Sequence, residues 1–133
     1  MEKEEFLQIR HQLGKTQKQM AQLLGTSHKA VQSFEQGWRK IPSYIERHML
    51  FLFAMKSPAS RISVPCWVMQ NCPDALREDC PAWELQIGYL CWFINGTICR
   101  GQAQKSWPEK MTICRRCRVF HTLFPSLGST GGN

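Results

Sequence analysis

No run of apolar residues in this chain approaches the roughly 18–20 needed to cross a bilayer, so no membrane-spanning helix is expected. The opening MEKEEFLQIR is charged and lacks the apolar core of a signal peptide, which points to a cytoplasmic protein without a membrane partner. Paired carboxylates, a nucleophile motif and a nucleotide-binding loop are all missing, so neither an enzyme nor a small-molecule substrate is expected. Cysteine is absent from the first 65 residues, and all seven lie between Cys66 and Cys117. In a reducing compartment that odd count suits metal or redox chemistry better than disulfide pairing. The stretch ICRRCRVFH (residues 113–121) is no c-type haem attachment site, because Arg118 stands where a histidine would be required.

The chain has 133 residues, enough for one ordinary domain or two small ones, and small domains bury too little apolar surface to be comfortable without help. A metal or an oligomer would supply that help. The net charge of +7 suits an anionic partner. Nine Lys and Arg stand against five acids in residues 1–56, and eight against five in residues 57–133, so both halves share the excess.

Phe6, Ile9 and Leu13 recur at helical spacing before Gly14, a stop of the left-handed kind. Thr16 can cap a second helix carrying Met20, Ala21 and Leu24, which ends at Gly25. Ser27 then caps a third, with Ala30, Val31 and Phe34 facing inward and Gly37 closing it. Two short helices joined by a glycine turn define a helix-turn-helix.

IRHQLGKTQKQMAQLLGTSHKAVQSFEQGWRKIP resembles the repressor-type helix-turn-helix family, the lambda-repressor-like or xenobiotic-response-element (XRE) class. The likeness covers about residues 3–56. It combines Thr16-Gln17, Ala21, Gly25, Val31, Glu35-Gln36-Gly37 and Pro42 at the family's spacings. It implies a mainly α-helical bundle of four or five short helices, Pro42 opening the one through Ile45, Met49, Leu50 and Phe53. It also implies a phosphate clamp at Gln17 and an ion pair between Arg10 and Glu35. A recognition helix enters the major groove by its N-terminal end, so Ser27, His28, Lys29, Gln32 and Ser33 are the candidate base contacts. Lys29 can donate to guanine, Gln32 can bond adenine twice, and His28 donates or accepts according to tautomer. Gln36, Arg39 and Lys40 follow and are expected to track the phosphate backbone. Trp38 among them either packs on sugar or covers a helix end.

The composition changes after KSPAS, and residues 57–61 read as a linker between a DNA-binding domain, 1–56, and a cysteine-rich module, 62–124. The tail 125–133, with SLGSTGGN, is expected to be disordered. Cys66-Trp67 and Cys91-Trp92 hint at a degenerate repeat. Pro65, Pro73, Pro81 and Pro108 interrupt every run, which predicts a small irregular fold with short strands or turns near 85–94 and 111–120. Trp67, Trp83, Trp92 and Trp107 are expected to build its core.

The order Cys-Trp, Cys, Cys-Pro, Cys-Trp, Gly-Thr-x-Cys, Cys-x-x-Cys over about residues 65–121 resembles a module of bacterial sensory proteins, including some chemotaxis receptors of anaerobes. The resemblance implies sensing through an iron–sulfur cluster. Read from the residues, three uses of the sulfur compete. A cluster, of the 4Fe-4S kind, would take Cys114, Cys117 and two or more of Cys66, Cys72, Cys80, Cys91 and Cys99, with Arg115, Arg116 and Arg118 offsetting its charge. Zinc could use seven cysteines and His121 as eight ligands for two tetrahedral sites, although only one Cys-x-x-Cys is present. A metal-free thiol switch would need Arg115 and Arg116 to depress the pKa of Cys114 or Cys117.

Together these features point to a transcriptional regulator that binds a double-stranded DNA operator as a homodimer and senses redox state, oxygen or metal. The alternative is a helix-turn-helix regulator whose zinc module is purely structural and serves dimerisation or partner docking.

Overall fold

Three glycines in the left-handed region, Gly14, Gly25 and Gly37 at φ 69°, 69° and 79°, end three successive helices of the first 56 residues. The structure, a computed structural model, describes residues 1–56, 65–69, 71–100, 102–125 and 127. The expected linker, 57–61, lies outside the described residues, as does the tail except for Pro125 and Leu127. The chain divides into two compact units, Met1–Lys56 and Ser57–Asn133. It is mainly helical, with ten helices and two short strands among the described residues, and none of those helices is long and apolar enough to cross a membrane.

The first unit holds α1 (Lys3–Leu13), α2 (Gln17–Leu24), α3 (His28–Gln36) and α4 (Ser43–Lys56). Three of the four starts have a local cause. At α2 the Gln19 amide donates to Thr16 Oγ1 at 3.1 Å while the Thr16 amide donates to Gln19 Oε1 at 3.0 Å, a reciprocal capping box. At α3 the Ala30 amide donates to Ser27 Oγ at 3.0 Å. At α4 the Pro42 carbonyl accepts from Ile45 and Glu46. Phe6, Ile9, Met20, Val31, Phe34, Ile45, Met49 and Leu50 form the core, with Phe6 edge-on to Phe34 at 5.8 Å. Leu13 and Phe53 are only half-buried.

The second unit runs through α5 (Cys66–Met69), α6 (Asp74–Arg77), α7 (Pro81–Glu84), α8 (Cys91–Ile94), β1 (Ile98–Cys99), β2 (Gln102–Ala103), α9 (Trp107–Cys114) and α10 (Arg118–Leu123). The strands pair antiparallel, Ile98 opposite Ala103 and Cys99 opposite Gln102. Of the short strands or turns expected near 85–94 and 111–120, turns are present at 85–86, 88–89 and 115–116, but the rest of both stretches belongs largely to helices α8, α9 and α10. Proline accounts for α9 among these, as it does for α5, α6 and α7 before them. Pro81 and Pro108 lie in the first turns of α7 and α9, Pro73 immediately precedes α6, and the Pro65 carbonyl accepts from Val68 and Met69. At a helix start the missing N–H costs nothing and the fixed φ is already helical, so these prolines open helices rather than break strands. Trp92, Phe120 and Phe124 make the aromatic centre, Trp92 lying 5.6 Å from Phe124 and 6.4 Å from Phe120. Trp107 is buried too, whereas Trp67 and Trp83 are half-buried and pack edge-to-face at 5.0 Å.

Candidate functional site

Helix α3 divides its residues between two sides. Ala30, Val31 and Phe34 are buried, while Lys29, Gln32, Ser33 and Gln36, at positions i, i+3, i+4 and i+7, share the opposite side. His28, Lys29, Gln32 and Gln36 are exposed and Ser33 is half-buried. Ser27 is exposed, but its hydroxyl is engaged as the cap. Arg39 and Lys40 are exposed beyond Gly37, and Trp38 beside them is 80% exposed, which removes its reading as cover for a helix end.

Behind this face lies a polar chain. Arg10 Nε donates to Glu35 Oε2 at 2.5 Å and Nη2 to Oε1 at 3.1 Å, with side chains 13% and 5% exposed. Gln17 Nε2 donates to the same Glu35 Oε1 at 2.8 Å, and its Oε1 lies 3.4 Å from His28 Nε2. Gln17, the phosphate clamp that the resemblance implies, therefore ties α2 to α3, while Arg10 ties α1 to the same Glu35. An amide nitrogen carries two hydrogens, so one N–H of Gln17 is still available to a phosphate.

In the second unit all seven cysteines line one cavity of about 300 Å³. They reach it from separate short elements. Cys66 and Cys91 open α5 and α8, Cys72 stands between α5 and α6, and Cys80 and Cys117 immediately precede α7 and α10. Cys99 lies on β1 and Cys114 ends α9. Two contacts position the wall. The Cys66 amide donates to the Gly88 carbonyl at 2.9 Å. Buried Asn95 accepts from the Ala82 amide at 3.0 Å and turns its Nδ2 to Cys80 Sγ at 3.5 Å.

Burial and mutual hydrogen bonding set the thiols. A hydrogen bond between Cys66 and Cys91 lowers the pKa of Cys66 and, with burial, raises that of Cys91 well above the usual thiol value. Burial also raises Cys72 and Cys99, and it pushes Cys114 up to about 11 with Lys110 partly opposing it. At Cys114 desolvation outweighs neighbouring charge, the opposite of the lowered pKa that a metal-free thiol switch at this residue requires. Of the three arginines expected to offset a cluster, only Arg116 lines the cavity; Arg115 lies over the Phe120 ring at 5.5 Å and Arg118 is exposed at the start of α10. His121 is exposed, with Nε2 2.6 Å from the Arg115 carbonyl, and does not join the wall.

Tetrahedral zinc, with bonds of about 2.3 Å, puts its sulfurs about 3.8 Å apart. Among the described residues no three His, Cys, Asp or Glu side chains already stand close enough to share one ion. The cations on the wall are Arg100, Lys110 and Arg116, and only Lys110 is buried. Sequence reasoning missed Lys110, Asn95 and Arg100. For Lys110 a signal existed, since it precedes Cys114 by four residues and so shares its helical face. In comparisons with known proteins, no protein-family model, no curated protein and no solved structure matches this chain.

Proposed function

We propose that this chain is a sequence-specific DNA-binding transcriptional regulator: a lambda-repressor-like helix-turn-helix unit joined to a module that senses through a thiolate-bound iron–sulfur cluster. The observation that carries the DNA half is the outward row Lys29, Gln32, Ser33 and Gln36 on α3, backed by a helix face buried in the core. Such a row offers donors and acceptors to base edges in a major groove. Arg39 and Lys40 lie where they can meet phosphate, supplying affinity without sequence information. One unit reads one half-site, so the working form is a homodimer on a pseudo-palindromic operator.

The donor set of the cavity fits an iron–sulfur cluster. Seven thiols face one space, more than the four that a cluster takes. The Nε1–H of Trp92, a residue of that wall, is buried with no acceptor among the described residues, and sulfide or thiolate sulfur would provide one. Cys114 and Cys117, with two or more of Cys66, Cys72, Cys80, Cys91 and Cys99, would hold the group. When bound it supplies one-electron redox chemistry. The chain's own contribution is to gather the thiols, whose protons would be released to solvent on ligation, to fix Cys80 through Asn95, and to couple the arrangement of the short cysteine-bearing segments to dimer geometry.

The test uses the full chain purified without oxygen. Duplexes are selected from a random pool, and affinity for the winner is measured against salt. Two cationic phosphate contacts per protomer predict a log–log slope near about −4 for a dimer, reduced by Lys40→Ala. The double variant Cys114→Ser, Cys117→Ser is expected to change operator affinity by about 5- to 150-fold at fixed salt. Absence of salt-dependent duplex binding refutes the regulator, and zinc without iron and sulfide in the purified protein refutes the sensor.

A further inference from the structure

Lysine is almost never fully buried unless paired, yet Lys110 is 1% exposed in the interior of the second unit. Its ammonium group has three hydrogens to place. It donates to the Trp92 carbonyl and to Cys114 Sγ, and it lies over the Trp107 ring at 4.8 Å. Among the described residues no carboxylate pairs with it. The groups around it that can carry negative charge are the sulfurs of Cys114, Cys91 and Cys99, all on the cavity wall. A carbonyl, a thiol and an aromatic face orient an ammonium, but none of them balances a full charge taken out of water.

A leucine or methionine here would fill the same space without that burden. The two other cations of the wall differ in kind. Arg100 and Arg116 are exposed, so water and salt screen them, whereas a buried charge acts through a low dielectric. Resting on the cluster reading above, we infer that Lys110 is the internal counter-cation of a thiolate-bound iron–sulfur cluster in this cavity, a positioning residue that fixes the cluster's electron affinity. Reduction adds one negative charge to a group that is already anionic. A fixed positive charge beside it favours the reduced form and raises the midpoint potential, one of the means by which a protein tunes such centres. Arg116, the member of the expected arginine trio that does reach the wall, contributes less because it is hydrated.

The full chain and its Lys110→Met and Lys110→Arg variants are loaded with iron and sulfide without oxygen. Their midpoint potentials are titrated by absorption, with iron and sulfide counted per chain. Lys110→Met is expected to lower the potential by at least tenfold in the reduced-to-oxidised ratio, about 59 mV for a one-electron couple, while Lys110→Arg stays near the parent. A loaded Lys110→Met with the parent's potential, or a Lys110→Arg that falls equally far, overturns the role of Lys110 and leaves the cluster standing. A parent chain that takes up no iron and sulfide overturns both. If Lys110→Met does not load, Lys110→Gln replaces it. Should neither load, normal loading of Lys110→Arg supports the need for charge, and failure of all three overturns it in favour of shape.

Discussion

Replacing Gly88 by alanine tests how the cavity is built. A Cβ at this position would stand 2.6 Å from Pro65 Cα, 2.7 Å from Pro65 Cβ and 2.9 Å from the Cys66 nitrogen. Carbon atoms in comfortable contact lie about 3.5–4.0 Å apart, so two stretches of backbone must separate by roughly 1 Å. No flexible side chain can give way instead, because the crowded atoms belong to a proline and to main chain. Overpacking of this kind costs about 1–3 kcal/mol. The same separation weakens the bond from the Cys66 amide to the Gly88 carbonyl, worth about 0.5–1.5 kcal/mol. The combined cost of about 2–4 kcal/mol corresponds to a fall in Tm of roughly 10 °C or more for a unit of this size. Four of the five tryptophans lie beyond residue 57, so the fluorescence melt of the full chain reports chiefly on the second unit. Because Cys66 is displaced along with the backbone, iron and sulfide bound per chain should fall as well. A Gly88→Ala chain that melts within 2 °C of the parent and loads the same iron would refute the view that this close approach sets the cysteine wall.

Two further outcomes follow from buried polar contacts. Arg10→Met leaves Glu35 with Gln17 as its remaining side-chain donor and should cost the first unit about 2–4 kcal/mol, somewhat below a fully buried pair because Arg10 is 13% exposed. Circular dichroism melts of Arg10→Met, Glu35→Met and the double variant form a cycle, and a double variant no better than the sum of the singles would show that the pair is not coupled. Asn95→Leu removes the acceptor of the Ala82 amide, whose residue is fully buried, and should cost the second unit about 1–3 kcal/mol in the tryptophan melt. An unchanged melt would mean that the amide finds another partner.

The starts of α2, α3 and α4 are legible in the sequence because each depends on residues within four positions of one another. Thr16 with Gln19, Ser27 with Ala30 and Pro42 with Ile45 are local bargains between a side chain or carbonyl and the first free amides of a helix. The second unit defeated the same approach for two reasons. Its prolines break every apolar run of the sequence, yet at Pro81 and Pro108 the ring sits in the first turn of a helix. Its cavity is made by convergence of seven segments, and no periodicity in the sequence encodes that Cys66 will meet Cys91 or that Cys80 will be held by Asn95.

Charge shows the same limit in sharper form. The excess of +7 is a single number in the sequence, but in the structure it divides into two kinds of cation. Lys29, Arg39 and Lys40 are exposed, so their field reaches about 8 Å at physiological salt before it is screened, far enough to meet a phosphate backbone. Lys110 contributes the same formal charge from a site that is 1% exposed, where it cannot attract a distant polyanion and can act only on what enters its own cavity. The arginine run beside the Cys-x-x-Cys is dense, but Arg118 is hydrated and Arg115 lies against Phe120. Desolvation, which a sequence does not display, separates the cation that can act on the sulfurs from those whose field reaches the solvent.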